Sequence, residues 1–190
     1  SSSGFGSIDF STVGQLKWYV VSAGTGIFAS SNRGVAFVTI ATDRSAGYQT
    51  FFISRSQLVA CSDSRNTTLV WPGSVGTFMT GLAPGSAPGV KLGIDFAGFV
   101  MLMNSVTNPR SVFYDDNVNI LSSPYTRTFT VGGDIDDEIT EAEVLNKKLY
   151  ISSKKQITRV SPVGVNPDFS VQPVKSGWGF VSRTVERVTL

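Results

Sequence analysis

The constraint that bears hardest on this chain is its punctuation. Short runs of β-branched and aromatic residues are separated, again and again, by Gly, Asn, Asp and Pro. Val35–Ala41 (VAFVTIA) and Tyr48–Ser54 (YQTFFIS) are such runs. So is Tyr125–Val131 (YTRTFTV), which puts Tyr125, Arg127, Phe129 and Val131 on one face and three threonines on the other. Side chains that branch at Cβ suit a pleated, half-buried surface, and alternation with a period of two marks a strand with one face inward. Further strands are expected at Leu16–Val21, Thr67–Trp71, Ser111–Tyr114, Asn117–Leu121, Lys148–Ser152, Gln156–Ser161, Phe169–Val174 and Trp178–Val188. Val90–Met103 reads as one bent strand or as two strands split at Ala97-Gly98. Strands this short, with turn signals this frequent, predict an all-β fold, an antiparallel β-sandwich of jelly-roll type.

One segment breaks the pattern. In Asp134–Asn146 (DIDDEITEAEVLN), Ile139, Ala142 and Leu145 recur every third residue, acids crowd the beginning and Lys147 and Lys148 follow the end. That charge order suits a helix dipole, so a short helix is expected in the C-terminal third. The expected organisation is an entry arm over residues 1–15, a sandwich over 16–133, and a helix-plus-strand extension over 134–190, with a soft boundary at Gly132-Gly133. No internal repeat stands out. The opening Ser1-Ser2-Ser3-Gly4-Phe5-Gly6 carries no basic leader and reads as a linker from a longer polypeptide.

Composition narrows the chemistry. The chain has no histidine, one cysteine and a net charge of +2, while 41% of its residues are hydrophobic. It can therefore fill a core, which packing alone must hold, because Cys61 has no partner for an internal disulfide. Cys61 is expected to act as a small apolar group. No cluster of Lys and Arg marks a nucleic-acid footprint. The longest apolar stretch, Phe96–Met103, is interrupted by Gly98 and is far shorter than the ~20 residues of a spanning helix, so no membrane insertion is expected. The same stretch is apolar on both faces, which fits a strand covered within its own chain or one set against a partner subunit, with Phe99 at the contact.

Without histidine there is no Ser-His-Asp triad. Carboxylate-pair hydrolysis would have to draw on the scattered Asp95, Asp115, Asp116 and Glu186. Asp134-x-Asp136-x-Glu138 spaces its oxygens like the start of a calcium loop. The sixth position, however, is Ile139 instead of glycine, and the twelfth is Leu145 instead of glutamate. These three residues are the metal candidates, and no cofactor is expected. Gly24-Thr25-Gly26 lacks the following helix of a dinucleotide site, and Asn66-Thr67-Thr68 is a glycosylation sequon. Aromatic rings beside turns offer flat faces to sugar C–H groups, with neighbouring polar side chains for the hydroxyls. Tyr48, Trp71, Tyr114 and Asp115 are the candidate ligand-binding residues on that ground, and Trp178, set between two glycines, is a further ring of this kind.

Lys17-Trp18-Tyr19-Val20-Val21, a Gly/Ser-rich loop, Asn32 through Ile40 (NRGVAFVTI) and Phe51-Phe52-Ile53 follow one another in an order that resembles the opening of β-sandwich tip domains on bacteriophage tail fibres. Val90–Ile94 (VKLGI) stands where those domains carry a later central strand, so the resemblance spans residues 16–103. It implies a non-enzymatic attachment domain at the virion surface, a homotrimer that binds a host glycan or receptor through its loops. A capsid or coat-decorating protein and a bacterial adhesin or carbohydrate-binding module are the alternative non-enzymatic readings. A glycan-cleaving enzyme is the catalytic one.

Overall fold

A computed structural model of the protein describes residues 7–11, 16–42, 44–45, 50–55, 58–63, 65–74, 76–81, 89–114, 125, 127–164 and 168–176. They form sixteen strands in four antiparallel sheets. The first sheet holds β1 (Ser7–Ser11), β2 (Lys17–Ala23), β3 (Gly26–Ser30) and β4 (Val38–Ala41). The second holds β5 (Phe51–Arg55), β6 (Leu58–Ser62), β7 (Leu69–Trp71) and β8 (Thr80–Gly81). The third holds β9 (Val90–Phe96), β10 (Phe99–Ser105), β11 (Ser111–Tyr114) and β12 (Arg127–Thr130). The fourth holds β13 (Ile139–Leu145), β14 (Lys148–Ser153), β15 (Gln156–Val163) and β16 (Asp168–Ser176). Within every sheet the strands lie side by side in chain order.

The chain is all-β and antiparallel, as its punctuation predicts. The jelly-roll connectivity is not found among the described residues, because each sheet is a plain meander without a crossover. First strands neighbour one another in the succession β1, β5, β9, β13. Sheets face each other through three apolar cores. Each contact is sandwich-like, but they run in series, as consecutive blades of a β-propeller do. The four-fold structural repeat is invisible in sequence because each core is filled by different side chains.

Trp18, Val20, Ile27, Ala29 and Ile40 of the first sheet meet Trp71 of the second, with the two indoles edge to face at 5.0 Å. Phe51, Ile53 and Val70 of the second sheet meet Val100 and Leu102 of the third. Met101, Met103 and Val112 of the third meet Ile139, Leu149, Ile151 and Val160 of the fourth. The second and third sheets are thus covered on both sides. That explains why Phe51–Ile53 and Val100–Met103 are continuously apolar: successive residues enter two different cores. Phe99 packs within its own chain, on Tyr114 and Phe169 at 6.4 and 5.8 Å.

The expected helix is a strand. Asp134–Glu138 forms turns, and Ile139–Leu145 pairs with β14. A bulge between Ile139 and Glu141 inserts one extra residue, so Ile139 and Ala142 reach the same core although three apart. A strand with one bulge here imitates helical spacing. Val90–Met103 is two strands, joined by Ala97-Gly98 with φ of 52° and 87°. Asn146-Lys147 closes β13–β14 the same way, with φ of 50° and 60°. Two left-handed central residues give the turn whose twist matches the strands it joins. Ser7–Ser11, in a segment that reads as an entry arm or a first edge strand, is the edge strand of the first sheet and pairs with β2 along its whole length.

Candidate functional site

Because the sheets stack in series, the first and the fourth each keep one face that no described sheet covers. On the first, alternation along Lys17–Val21 decides which side chains lie there. Trp18 and Val20 turn into the core, so Lys17 and Tyr19 turn away from it. Register places Asp9 and Ser30 beside Tyr19, and Ser11 beside Lys17, on that outer face. At this end of the sheet a half-open cavity of about 430 Å³ is lined by Asp9, Ser11, Lys17, Tyr19, Ser31 and Arg33, with Trp18 and Ser30 completing its wall.

The loop that carries Arg33 is tied down at its base. Ser30 Oγ donates to Asn32 Oδ1 (2.7 Å) and accepts from the Gly34 amide (2.9 Å). Asn32 Oδ1 in turn accepts from the Ala36 amide at 2.9 Å. Arg33 and Gly34 have φ of 60° and 84°, so the chain turns sharply just where the guanidinium is presented. Among the described residues, Asp9, Lys17 and Arg33 form no ion pair. Tyr19 lies 6.3 Å from the ring of Phe37, and both rings are exposed, at 37% and 43%. The indole N–H of Trp18 is buried with no hydrogen-bond partner among the described residues. The arrangement offers an aromatic surface, hydroxyls, two cations and one carboxylate in one hollow.

The sequence candidates fall elsewhere. Trp71 is fully buried, and its Nε1 donates to the carbonyl and hydroxyl of Thr77 at 3.1 and 3.2 Å. Tyr114 is buried in the core between the third and fourth sheets. Neither presents a face to a ligand, because in a stack covered on both sides a ring near a turn still finds a neighbouring sheet. Tyr48, Asp115, Asp116, Trp178 and Glu186 lie outside the described residues, as does the side chain of Cys61.

The calcium candidates are separated by their cations. Asp134 pairs with Lys155 at 2.9 Å, and this contact holds its carboxyl below the usual range. Glu138 is bracketed by Lys91 and Lys154, each at 3.3 Å. Partial burial raises its carboxyl, and the two ammonium groups outweigh that and lower it. Asp136 is exposed. Asp137, between them, is buried and accepts from Ser153 Oγ and the Lys155 amide, both at 2.8 Å, and from the Gly133 amide at 3.3 Å. It pins the turn that leads into β13. Among the described residues no group of three metal-ligating side chains converges.

A second buried acid ties the first sheet to the second. Asp63 Oδ2 accepts from Arg44 Nε (3.2 Å), the Ser45 amide (3.1 Å) and Asn66 Nδ2 (2.8 Å). Its Oδ1 accepts from the amides of Arg65 and Asn66 at 3.1 and 2.8 Å. Burial pushes the carboxyl up, but the donors, led by Arg44, prevail and bring it down to about 2. Asn66, the sequon residue, is held in this cluster by its side-chain amide. Asp95 lines a wide, open cleft with Glu143 and Lys147.

Sequence reasoning missed Asp9, Lys17, Tyr19 and Arg33. The signal was present in the alternation of Lys17–Val21 and in Arg33-Gly34 within a turn-rich loop. No protein-family model matches the chain, and no curated protein matches it at a significant level.

Proposed function

We propose that this chain is a non-enzymatic recognition domain of virion-attachment type, which binds a host surface glycan at the free face of its first sheet. The observation that carries the reading is the hollow around Tyr19. An exposed ring, with Ser11, Ser31, Asp9, Lys17 and Arg33 about it, matches what a saccharide presents: C–H faces for stacking and hydroxyls that both donate and accept. The site stands on a sheet backed by a closed core, so its geometry is formed before a ligand arrives.

A glycosidase needs one acid whose proton is retained near neutral pH. Among the described residues Asp63, Asp134 and Glu138 are each lowered by a neighbouring cation, so none of these three supplies that acid.

Glycan-array screening tests the reading, with Tyr19→Ala as the control. Selective binding that Tyr19→Ala abolishes, in a variant with unchanged melting, is the expected result. An array without selective hits, or hits unaffected by Tyr19→Ala, overturns it.

A further inference from the structure

We infer that the saccharide recognised at this hollow carries a carboxylate, as uronic and sialic acids do; the inference rests on the glycan reading and specifies its ligand. A site for a neutral sugar needs donors and acceptors, and hydroxyls and amides supply them at low desolvation cost. This hollow holds full charges beside its serine hydroxyls. Lys17 and Arg33 converge on one cavity, and neither is neutralised by a carboxylate among the described residues. Asp9, which shares the hollow, leaves one positive charge in excess.

The two cations differ in what they can do. The guanidinium of Arg33 is a planar fork that meets both oxygens of a carboxylate, and the ammonium of Lys17 is a mobile point charge able to follow. The loop around Arg33 is held by the Gly34 amide on Ser30 Oγ and the Ala36 amide on Asn32 Oδ1, so it need not be ordered again when a ligand binds. Asp9, Ser11 and Ser31 remain for ring hydroxyls, and Tyr19 for the apolar face of the ring.

The test is calorimetric titration of the full chain with three probes. The first is a hexasaccharide of alternating glucuronate and N-acetylglucosamine. The second is the same hexasaccharide with its carboxylates reduced to primary alcohols. The third is a glutamate oligopeptide of equal charge. The acidic hexasaccharide should bind at least ten-fold more tightly than either of the others. Arg33→Gln and Lys17→Met should each weaken it several-fold, and should weaken the reduced hexasaccharide by a clearly smaller factor. Both residues are exposed, so melting should not change.

Equal binding of the acidic and reduced hexasaccharides overturns the carboxylate inference and leaves the glycan reading standing. Equal binding of the oligopeptide shows charge attraction without sugar recognition and overturns the inference. Acidic binding indifferent to Arg33→Gln and Lys17→Met places the site elsewhere. Failure of both hexasaccharides counts against both readings.

Discussion

Replacing Asp63 by Asn keeps the shape of the side chain and removes its charge, so it isolates what that charge does between the first two sheets. The carboxylate accepts five hydrogen bonds, three on one oxygen and two on the other. An amide supplies one acceptor and one N–H₂ donor. Whichever way it turns, the donor faces N–H groups: those of Arg65 and Asn66, or those of Arg44, Ser45 and the Asn66 side chain. In the second orientation Arg44, itself 7% exposed, keeps only the Thr67 carbonyl, 3.2 Å from both terminal nitrogens. Breaking a buried pair by removing one partner costs about 3–5 kcal/mol. For a chain of this size that lowers the melting temperature by about 10 °C. The pH dependence has a definite sign. The folded carboxyl lies at about 2 against 3.8 for an unperturbed one, so its contribution of about 2 kcal/mol is present above pH ~4 and is lost as pH falls towards 2. Asp63→Asn should lose that step. Denaturant unfolding of Asp63→Asn, Arg44→Met and the double variant, at several pH values, measures both effects. A coupling energy of at least about 2 kcal/mol is expected. A cost below about 1 kcal/mol for Asp63→Asn, with no coupling to Arg44, would refute the reasoning.

Gly93→Ala should destabilise by about 1–3 kcal/mol in urea unfolding, because a Cβ there would meet Cζ of the Phe51 ring at 2.8 Å, between the second and third sheets. Ala97→Gly should stabilise by up to about 1 kcal/mol in the same assay, since Ala97 holds φ of 52° in its hairpin and glycine adopts that conformation without strain. Phe99→Asp should lower the melting temperature and leave the oligomeric state unchanged by light scattering, because Phe99 packs on Tyr114 and Phe169 of its own chain. EDTA should leave the melting temperature unchanged, as Asp134 and Glu138 are held by lysines.

How far the fold could be read from sequence follows from which forces are local. Turn chemistry and period-two alternation are local, and they reveal many of the strands and the Ala97-Gly98 break, but not β3, which reads as a Gly/Ser-rich loop, nor β6. Sheet order is not local. Nothing in Phe99–Met103 says that Val100 and Leu102 face one sheet while Met101 and Met103 face another, so a double-sided strand reads equally as an intersubunit one. The bulge after Ile139 is a tertiary adjustment that turned a strand into an apparent helix. Trp71 shows the same limit at the level of function. A tryptophan before Pro72-Gly73 looks solvent-facing, yet the first sheet lies over it and Trp18 packs against its ring. The hollow around Tyr19 draws on β1, β2 and the β3–β4 loop, and only pairing register brings these together.

The most direct test of the central claim, that the free face of the first sheet is the recognition surface, is amide hydrogen exchange of the whole chain with and without the acidic hexasaccharide at saturation. The account predicts slowed exchange at residues 17–19 and 30–34, with the strands of the second, third and fourth sheets unchanged. Protection confined to other sheets, or no protection at saturation, would contradict it.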